Sequence, residues 1–115
     1  MKIEGEGKLL RVFVGESDKH GHKPLYQAIV ELLRERGLAG ATVLRGVEGF
    51  GAHSRLHTDR ILRLTQDLPM VIECVDTAER IDEVLPLLDE IVDEGLLTVE
   101  RVEVIAYRAG EPPGD

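Results

Sequence analysis

The sequence predicts one α+β domain whose elements follow in the order β-α-β-β-α-β. The chain has 115 residues, which suits one domain with one hydrophobic core. Four segments have the alternating or continuous apolar pattern of strands, and two others repeat apolar residues at helical spacing. Because each helix lies between two strands, we predict a ferredoxin-like sandwich: an antiparallel four-stranded sheet with two helices on one face.

The first half of the chain supplies a strand, a helix and a strand. Residues 8–14 alternate and form the first strand, and residues 15–23 form a polar loop. Pro24 suits the first turn of a helix, and Gly37 suits its end. The apolar stripe of this helix consists of Leu25, Ala28, Ile29, Leu32 and Leu33. Residues 40–47 are the second strand.

The second half repeats the pattern. Residues 60–65 form a short hairpin arm in this interpretation, and residues 70–75 form an apolar, central strand. Glu73 within that strand is either salt-bridged or half of a carboxylate pair. Asp76 or Thr77 caps the second helix, Gly95 ends it, and Pro86 predicts a kink over 82–86. Residues 99–107 are the last strand. We therefore place the domain at 8–108, with flexible tails at 1–7 and 109–115.

Two helices cover only one face of such a sheet. The other face keeps apolar side chains, namely whichever set of Leu9 and Phe13 or Leu10, Val12 and Val14 points away from the helices. An uncovered apolar face predicts self-association.

Composition limits the classes of ligand and the cellular location that we expect for this protein. The 14 basic and 22 acidic residues give a net charge of −8, which disfavours general binding to nucleic-acid phosphates but allows a small anionic ligand. No apolar segment is long enough for membrane insertion, and the start has no apolar signal core, so we expect a cytoplasmic protein. The single cysteine, Cys74, cannot form an internal disulfide and is expected to pack as a small hydrophobe.

Glycines interrupt the end of the second strand. Backbone N–H groups over residues 46–51 suit a phosphate nest, and a neighbouring arginine suits a bidentate contact. The predicted ligand-binding residues are Arg45, Gly46, Gly49, Phe50, Gly51 and Arg108. The alternative is a bulged strand end without a ligand.

Polar residues follow the glycines over 52–60, and we expect the most mobile internal segment there. His53, Arg55, His57 and Arg60 would contact a partner protein. The histidines also allow a second hypothesis, a metal site built from His20, His22, His53 and His57. The alternative is that these histidines lie in solvated loops and bind no metal. Ser54, the histidines and Asp59 supply triad residue types but no rigid turn, so no catalytic set is predicted and the protein is not expected to be an enzyme.

Several segments resemble the PII signalling superfamily, and most closely an uncharacterised PII-like branch of it. The resemblance spans about residues 8–108. It rests on Gly15-Glu16, Lys23-Pro-Leu-Tyr26, Gly40-Ala-Thr-Val-Leu-Arg-Gly-Val-Glu-Gly-Phe-Gly51, Asp67-Leu-Pro69 and Glu94-Gly-Leu-Leu97.

The resemblance implies a homotrimer that binds an adenine nucleotide in the clefts between subunits and contacts an unknown target protein through the loop after the second strand. PII proteins carry a phosphate loop, Thr-Gly-x-x-Gly-Asp-Gly-Lys, before the last strand. Residues 93–100 here, Asp-Glu-Gly-Leu-Leu-Thr-Val-Glu, lack it. We therefore expect AMP or ADP rather than ATP. The alternative function is a metal-binding trimer similar to the CutA proteins.

Overall fold

A computed structural model describes residues 1–50 and 67–110. Its elements are β1 (Lys2–Gly15), β2 (Lys19–His20), β3 (Lys23–Pro24), α1 (Leu25–Glu35), β4 (Thr42–Arg45), β5 (Pro69–Asp76), α2 (Ala78–Ile91) and β6 (Leu96–Arg108). The main sheet is antiparallel and has the order β4-β5-β1-β6. The predicted α+β, ferredoxin-like fold is confirmed.

The core lies between the helices and one face of this sheet. Alternate residues of the two central strands point into it, because side chains two apart in a strand share a face. They are Leu10, Val12, Val14, Met70, Ile72 and Cys74. Both helices cover this face with their apolar stripes, Leu25, Ala28, Ile29 and Leu33 from α1 and Ile81, Val84 and Leu88 from α2.

The helix ends follow local rules. Gly37 has a positive φ of 79° just after α1, as the sequence predicts for a helix end. Thr77 is the N-cap of α2, and its side chain accepts a hydrogen bond from the Arg80 N–H at 3.3 Å. The helix runs through Pro86 and ends at Ile91, so Gly95 lies beyond it. A Cβ on Gly95 would lie 2.6 Å from the carbonyl oxygen of Phe13, so the turn into β6 requires glycine.

Asp76, the alternative cap, has a different role. Its side chain is fully buried, and it accepts hydrogen bonds from the N–H groups of Ala39, at 2.7 Å, and Thr77, at 2.6 Å. Arg80 adds a guanidinium at 3.8 Å. The Tyr107 hydroxyl donates to the Ala39 carbonyl oxygen at 3.1 Å. The connection between α1 and β4 is thus fixed to β5 and β6, which places β4 at the edge of the sheet.

The strand boundaries differ from the predicted ones. Residues 1–7 were expected to be a flexible tail, but β1 begins at Lys2 and pairs with β6 as far as Arg108. The prediction was wrong because this stretch, which includes Gly5 and Gly7, lacks apolar alternation; pairing with a distant strand orders it. The second strand is shorter than residues 40–47. The predicted hairpin arm at 60–65 and residues 111–115 of the second tail lie outside the described residues.

Candidate functional site

The predicted ligand segment begins where three strands meet at one end of the sheet. Gly15 ends β1 opposite Pro69, the first residue of β5, and Arg45 ends β4 opposite Met70. Neighbouring strand ends bring residues that are distant in sequence together. Arg45, Gly46 and Gly49 therefore lie near the end of β1, Phe50 follows Gly49, and Gly51 lies outside the described residues.

Close packing against Pro69 explains two of the glycines. The Gly46 N–H donates to the Pro69 carbonyl oxygen at 2.7 Å. A Cβ on Gly46 would lie 2.6 Å from Pro69 Cγ, and one on Gly49 would lie 3.0 Å from the same atom. Neither glycine has a positive φ. Since the Gly46 amide is already bonded, it does not contribute to the predicted phosphate nest, and its glycine is required by the approach of the proline ring.

Arg45 forms an ion pair with Glu16, the residue after β1. Its Nη2 atom lies 3.0 Å from Glu16 Oε1, and the two side chains are 50% and 27% exposed, respectively. The backbone of Glu16 is itself bonded, because its N–H donates to the Leu68 carbonyl oxygen at 2.9 Å. An exposed guanidinium with one carboxylate partner can still take a second anion.

Two more carboxylates lie around the end of β1. Asp18 Oδ2 accepts the Gly15 N–H at 2.8 Å. Asp67 Oδ1 accepts the Ser17 N–H at 3.2 Å and the Ser17 hydroxyl at 2.9 Å. A Cβ on Gly15 would lie 2.7 Å from Asp67 Oδ1 and 3.3 Å from Asp18 Oδ1. The surroundings of Arg45 are thus acidic, and they oppose a ligand with several negative charges.

The apolar side chains of the glycine segment face solvent. Phe50 is 71% exposed and Val47 is 89% exposed. The exposed aromatic ring of Phe50, five residues after Arg45 in the chain, offers a flat apolar surface on which a base can stack. Its exposure is equally suited to burial against another protein chain.

Arg108 lies at the opposite end of the sheet. It pairs with Lys2 at the start of β1, whereas Arg45 lies level with the end of that strand. About twelve residues of strand separate the two levels, which corresponds to about 40 Å. Arg45 and Arg108 of one chain therefore cannot contact the same small ligand.

Comparison with known proteins assigns the family. The model of the family DUF190, described as "Uncharacterized ACR", matches residues 7–104. The chain belongs to the DUF190 family. A UPF0166 protein of Aquifex aeolicus (strain VF5) is 40% identical over 85% of this chain and 92% of its own length. A UPF0166 protein of Methanocaldococcus jannaschii is 38% identical over 86% of this chain and 92% of its own length.

A solved structure shares the fold of this DUF190 chain. It is CPII bound to ADP and bicarbonate, from Thiomonas intermedia K12, and it superposes with a TM-score of 0.55 at 19% sequence identity. The match covers 86% of this chain and 88% of that chain. The PII-like fold indicated by the sequence is thereby confirmed.

The other predicted partner and metal residues are only partly placed. His20 ends β2, and the exposed His22 follows Gly21, whose φ of 63° suits a tight hairpin turn. Within residues 1–50 and 67–110 no group of three or more His, Cys, Asp or Glu residues is placed to hold a metal ion. His53, Arg55, His57 and Arg60 lie outside the described residues, so the metal alternative stays a prediction.

Cys74 is a core residue of β5. It is buried on the helix side of the sheet. Burial, followed by the negative charge of Asp76, raises the pKa of its thiol to about 11. The thiol is therefore protonated near neutral pH, and a protonated buried thiol is a poor nucleophile and metal ligand. The prediction of a packed small hydrophobe agrees with this environment.

The helices leave the other face of the sheet open, and this face carries apolar side chains. Leu9 and Phe13 point to it, which decides between the two sets that the sequence left open. The strand register places further apolar residues on the same face, namely Leu44, Val71, Val75 and Leu96. Leu96 is 54% exposed in the single chain.

An ionic cluster lies among these apolar residues. Arg11 donates from Nε to Glu73 Oε2 at 2.8 Å, and it also bonds the Glu100 carboxylate. The hydrogen bond with Glu73 raises the pKa of the Arg11 guanidinium above its ordinary value, so the group is always charged. Glu73 is therefore salt-bridged, one of the two roles that its position in a central strand suggested.

Glu16 is the residue of the site to which sequence analysis gave no role. It appeared only as part of the Gly15-Glu16 strand ending. A signal for its role was present, because an acidic residue ends the first strand and a basic residue ends the second. This signal can be interpreted only with the order of the strands in the sheet, which places these two strand ends on either side of β5.

Proposed function

We propose that this chain is a regulatory protein of PII type that works in the cytoplasm. It forms a homotrimer, binds a small anionic ligand at the clefts between subunits, and transmits binding to a partner protein through residues 52–60. It acts by binding rather than by catalytic turnover. The observation that carries the proposal is the half-exposed Arg45 guanidinium at the end of β4, in the same segment of the chain as the exposed ring of Phe50.

The proposed ligand is an adenine nucleotide with fewer phosphates than ATP, that is, AMP or ADP. Phe50 offers a stacking surface, and Arg45 offers a bidentate partner for one phosphate. The carboxylates of Glu16, Asp18 and Asp67 disfavour additional phosphate charge near Arg45. CPII, which has the same fold, is bound to ADP and bicarbonate.

The proposed trimer buries the open sheet face. Its apolar side chains favour burial against two further copies around a threefold axis, where each pairwise contact joins different parts of the surface. Arg11 already has carboxylate partners in its own chain, so burial of the face would not leave its charge unpaired. Assembly also gives a role to Arg108. In the trimer, Arg108 of one subunit would contact a ligand that is bound to Arg45 of a neighbouring subunit.

Signalling would follow from the position of the ligand. Residues 52–60 come directly after the glycine segment, so a ligand that contacts Arg45 and Phe50 would bias the conformations of the next residues. A ligand shifts such an equilibrium by its difference in affinity for the two states. The partner protein would recognise one state through His53, Arg55, His57 and Arg60.

Isothermal titration calorimetry of the full chain with AMP, ADP, ATP and cyclic nucleotides tests the proposal. We expect AMP or ADP to bind more tightly than ATP. Arg45→Ala should weaken binding by about 1.5–3 kcal/mol, the usual worth of a hydrogen bond to a charged group. Arg36→Ala, at an exposed arginine just after α1, is the matched control and should bind as the wild type does. An absence of heat with every nucleotide would contradict the nucleotide function.

A further inference from the structure

The ion pair between Arg45 and Glu16 suggests what controls ligand binding at the proposed site. The backbone at both positions is bonded to consecutive residues at the start of β5. The Glu16 N–H is bonded to the Leu68 carbonyl oxygen, and the Gly46 N–H, next to Arg45, is bonded to the Pro69 carbonyl oxygen. Leu68 is buried in the core. The Cα atoms of Arg45 and Glu16 are therefore held at a fixed separation, from which the two side chains reach each other.

We propose that Glu16 is a built-in competitor for the anion-binding group of Arg45, and thereby sets the ligand concentration at which the site is occupied. The inference rests on the proposed function, because it names the residue that regulates ligand binding there. In the ligand-free protein the Glu16 carboxylate occupies the Nη2 position that a ligand phosphate or carboxylate would take. A second anion can reach the remaining N–H groups, but a ligand gains a bidentate contact that includes Nη2 only by displacing this carboxylate.

This exchange sets how much binding energy an anion gains at Arg45. An anion that replaces Glu16 gains only the difference in free energy between its own charged hydrogen bond and the one that Glu16 loses, so charge alone gives little affinity. Simple anions such as chloride or inorganic phosphate should bind weakly. A ligand that also carries a flat ring obtains additional binding energy from Phe50, which the carboxylate of Glu16 cannot supply. Because Glu16 lowers the affinity for both kinds of anion by a similar factor, only the ring-bearing ones still bind at low concentration.

Glu16→Gln tests the proposal, because it removes the charge and keeps the shape of the side chain. We expect AMP to bind Glu16→Gln at least about threefold more tightly than the wild type, and inorganic phosphate to gain at least as much. Glu48→Gln is the matched control, because it changes the net charge by the same amount at a position three residues from Arg45. Glu48 has no ion pair within the part of the chain that the structure describes. Its effect should be less than half as large.

A double mutant separates the specific effect from general electrostatics. In an Arg45→Ala background, Glu16→Gln should change AMP affinity no more than Glu48→Gln does, because the competed group is gone. The Nε–Hε resonance of Arg45 provides a readout that needs no nucleotide. Replacing Glu16 by Gln should shift this resonance when Arg45 is present. Inorganic phosphate should then shift it at a lower concentration in Glu16→Gln than in the wild-type protein.

The outcomes separate this inference from the proposed function. AMP binding that is equal in wild-type protein and Glu16→Gln would overturn the role of Glu16 and leave the nucleotide function standing. A gain that persists without Arg45 would also overturn it. If no nucleotide binds, but phosphate reaches Arg45 more readily in Glu16→Gln, the nucleotide function is wrong and the competitor role stands. If no nucleotide binds and phosphate binding does not respond to Glu16, both the nucleotide function and the competitor role are wrong.

Discussion

Gly46 and Pro69 contact each other through the backbone and through the proline ring. The Gly46 N–H donates to the Pro69 carbonyl oxygen at 2.7 Å, and the missing Cβ would lie 2.6 Å from Pro69 Cγ. This contact lies just beyond the last paired residues of β4 and β5, and Gly49 packs against the same proline ring. The glycine therefore serves the shape of the site, since its own amide is not free to bind a ligand.

Gly46→Ala should destabilise the protein by about 1–3 kcal/mol, because the new methyl group would overlap the proline ring and force the backbone to move. Urea denaturation measures the change. Gly40→Ala is the control: its Cβ would meet nothing within 4 Å, so its effect should lie within about 1 kcal/mol of zero and be neutral or stabilising. Pro69→Ala should reduce the cost of Gly46→Ala. Equal stability of Gly46→Ala and Gly40→Ala would contradict the packing argument.

Asp76→Ala should cost about 2–4 kcal/mol, because it leaves two buried N–H groups without their acceptor and removes the partner of Arg80. Asp82→Ala, which removes only the ion pair between Lys8 and a half-exposed carboxylate, should cost less than about 1 kcal/mol. Thermal and urea unfolding compare the two variants. Amide hydrogen exchange should also accelerate at Ala39 in Asp76→Ala, and unchanged exchange there would argue against the anchor.

Phe13→Asp should dissociate the proposed trimer and leave the subunit folded, because it places a charge in the middle of the open sheet face. Light scattering should report three times 12.8 kDa for the wild type and 12.8 kDa for the variant. Leu87→Asp, at a half-buried leucine on α2, is the control and should remain trimeric. A monomeric wild type would refute association through this face.

Cys74 should make stability depend on alkaline pH. The pKa of the buried thiol is raised to about 11, so the unfolded chain loses the proton at lower pH than the folded protein. Its contribution is complete below the ordinary thiol pKa, near pH 8.5, and is lost as the pH rises toward about 11. Cys74→Ala should flatten the decrease in unfolding free energy over this range. Thiol reagents should label Cys74 at pH 8 only after unfolding, and rapid labelling of native protein would contradict its burial.

Periodicity along the chain determined the elements and their faces. The alternation over 8–14 gave β1 its two faces without deciding which of them meets the helices, and the stripe from Leu25 to Leu33 gave α1 its core side. Gly37 gave the helix end, because such features depend on residues a few positions apart. The same local information predicted an uncovered sheet face. It also identified Arg45 and its glycines as the segment at which the second strand leaves the sheet.

Contacts between distant residues decided the rest, and only the tertiary structure provides them. Residues 2–7 became strand because β6 pairs with them, although their own sequence lacks a strand pattern. Gly46 meets Pro69, and Arg45 meets Glu16, across strands that are adjacent only in the folded sheet. Arg108 lies at the other end of that sheet because antiparallel pairing places the end of β6 beside the start of β1. A local pattern carries no information on such pairings, since they depend on the order and register of the strands.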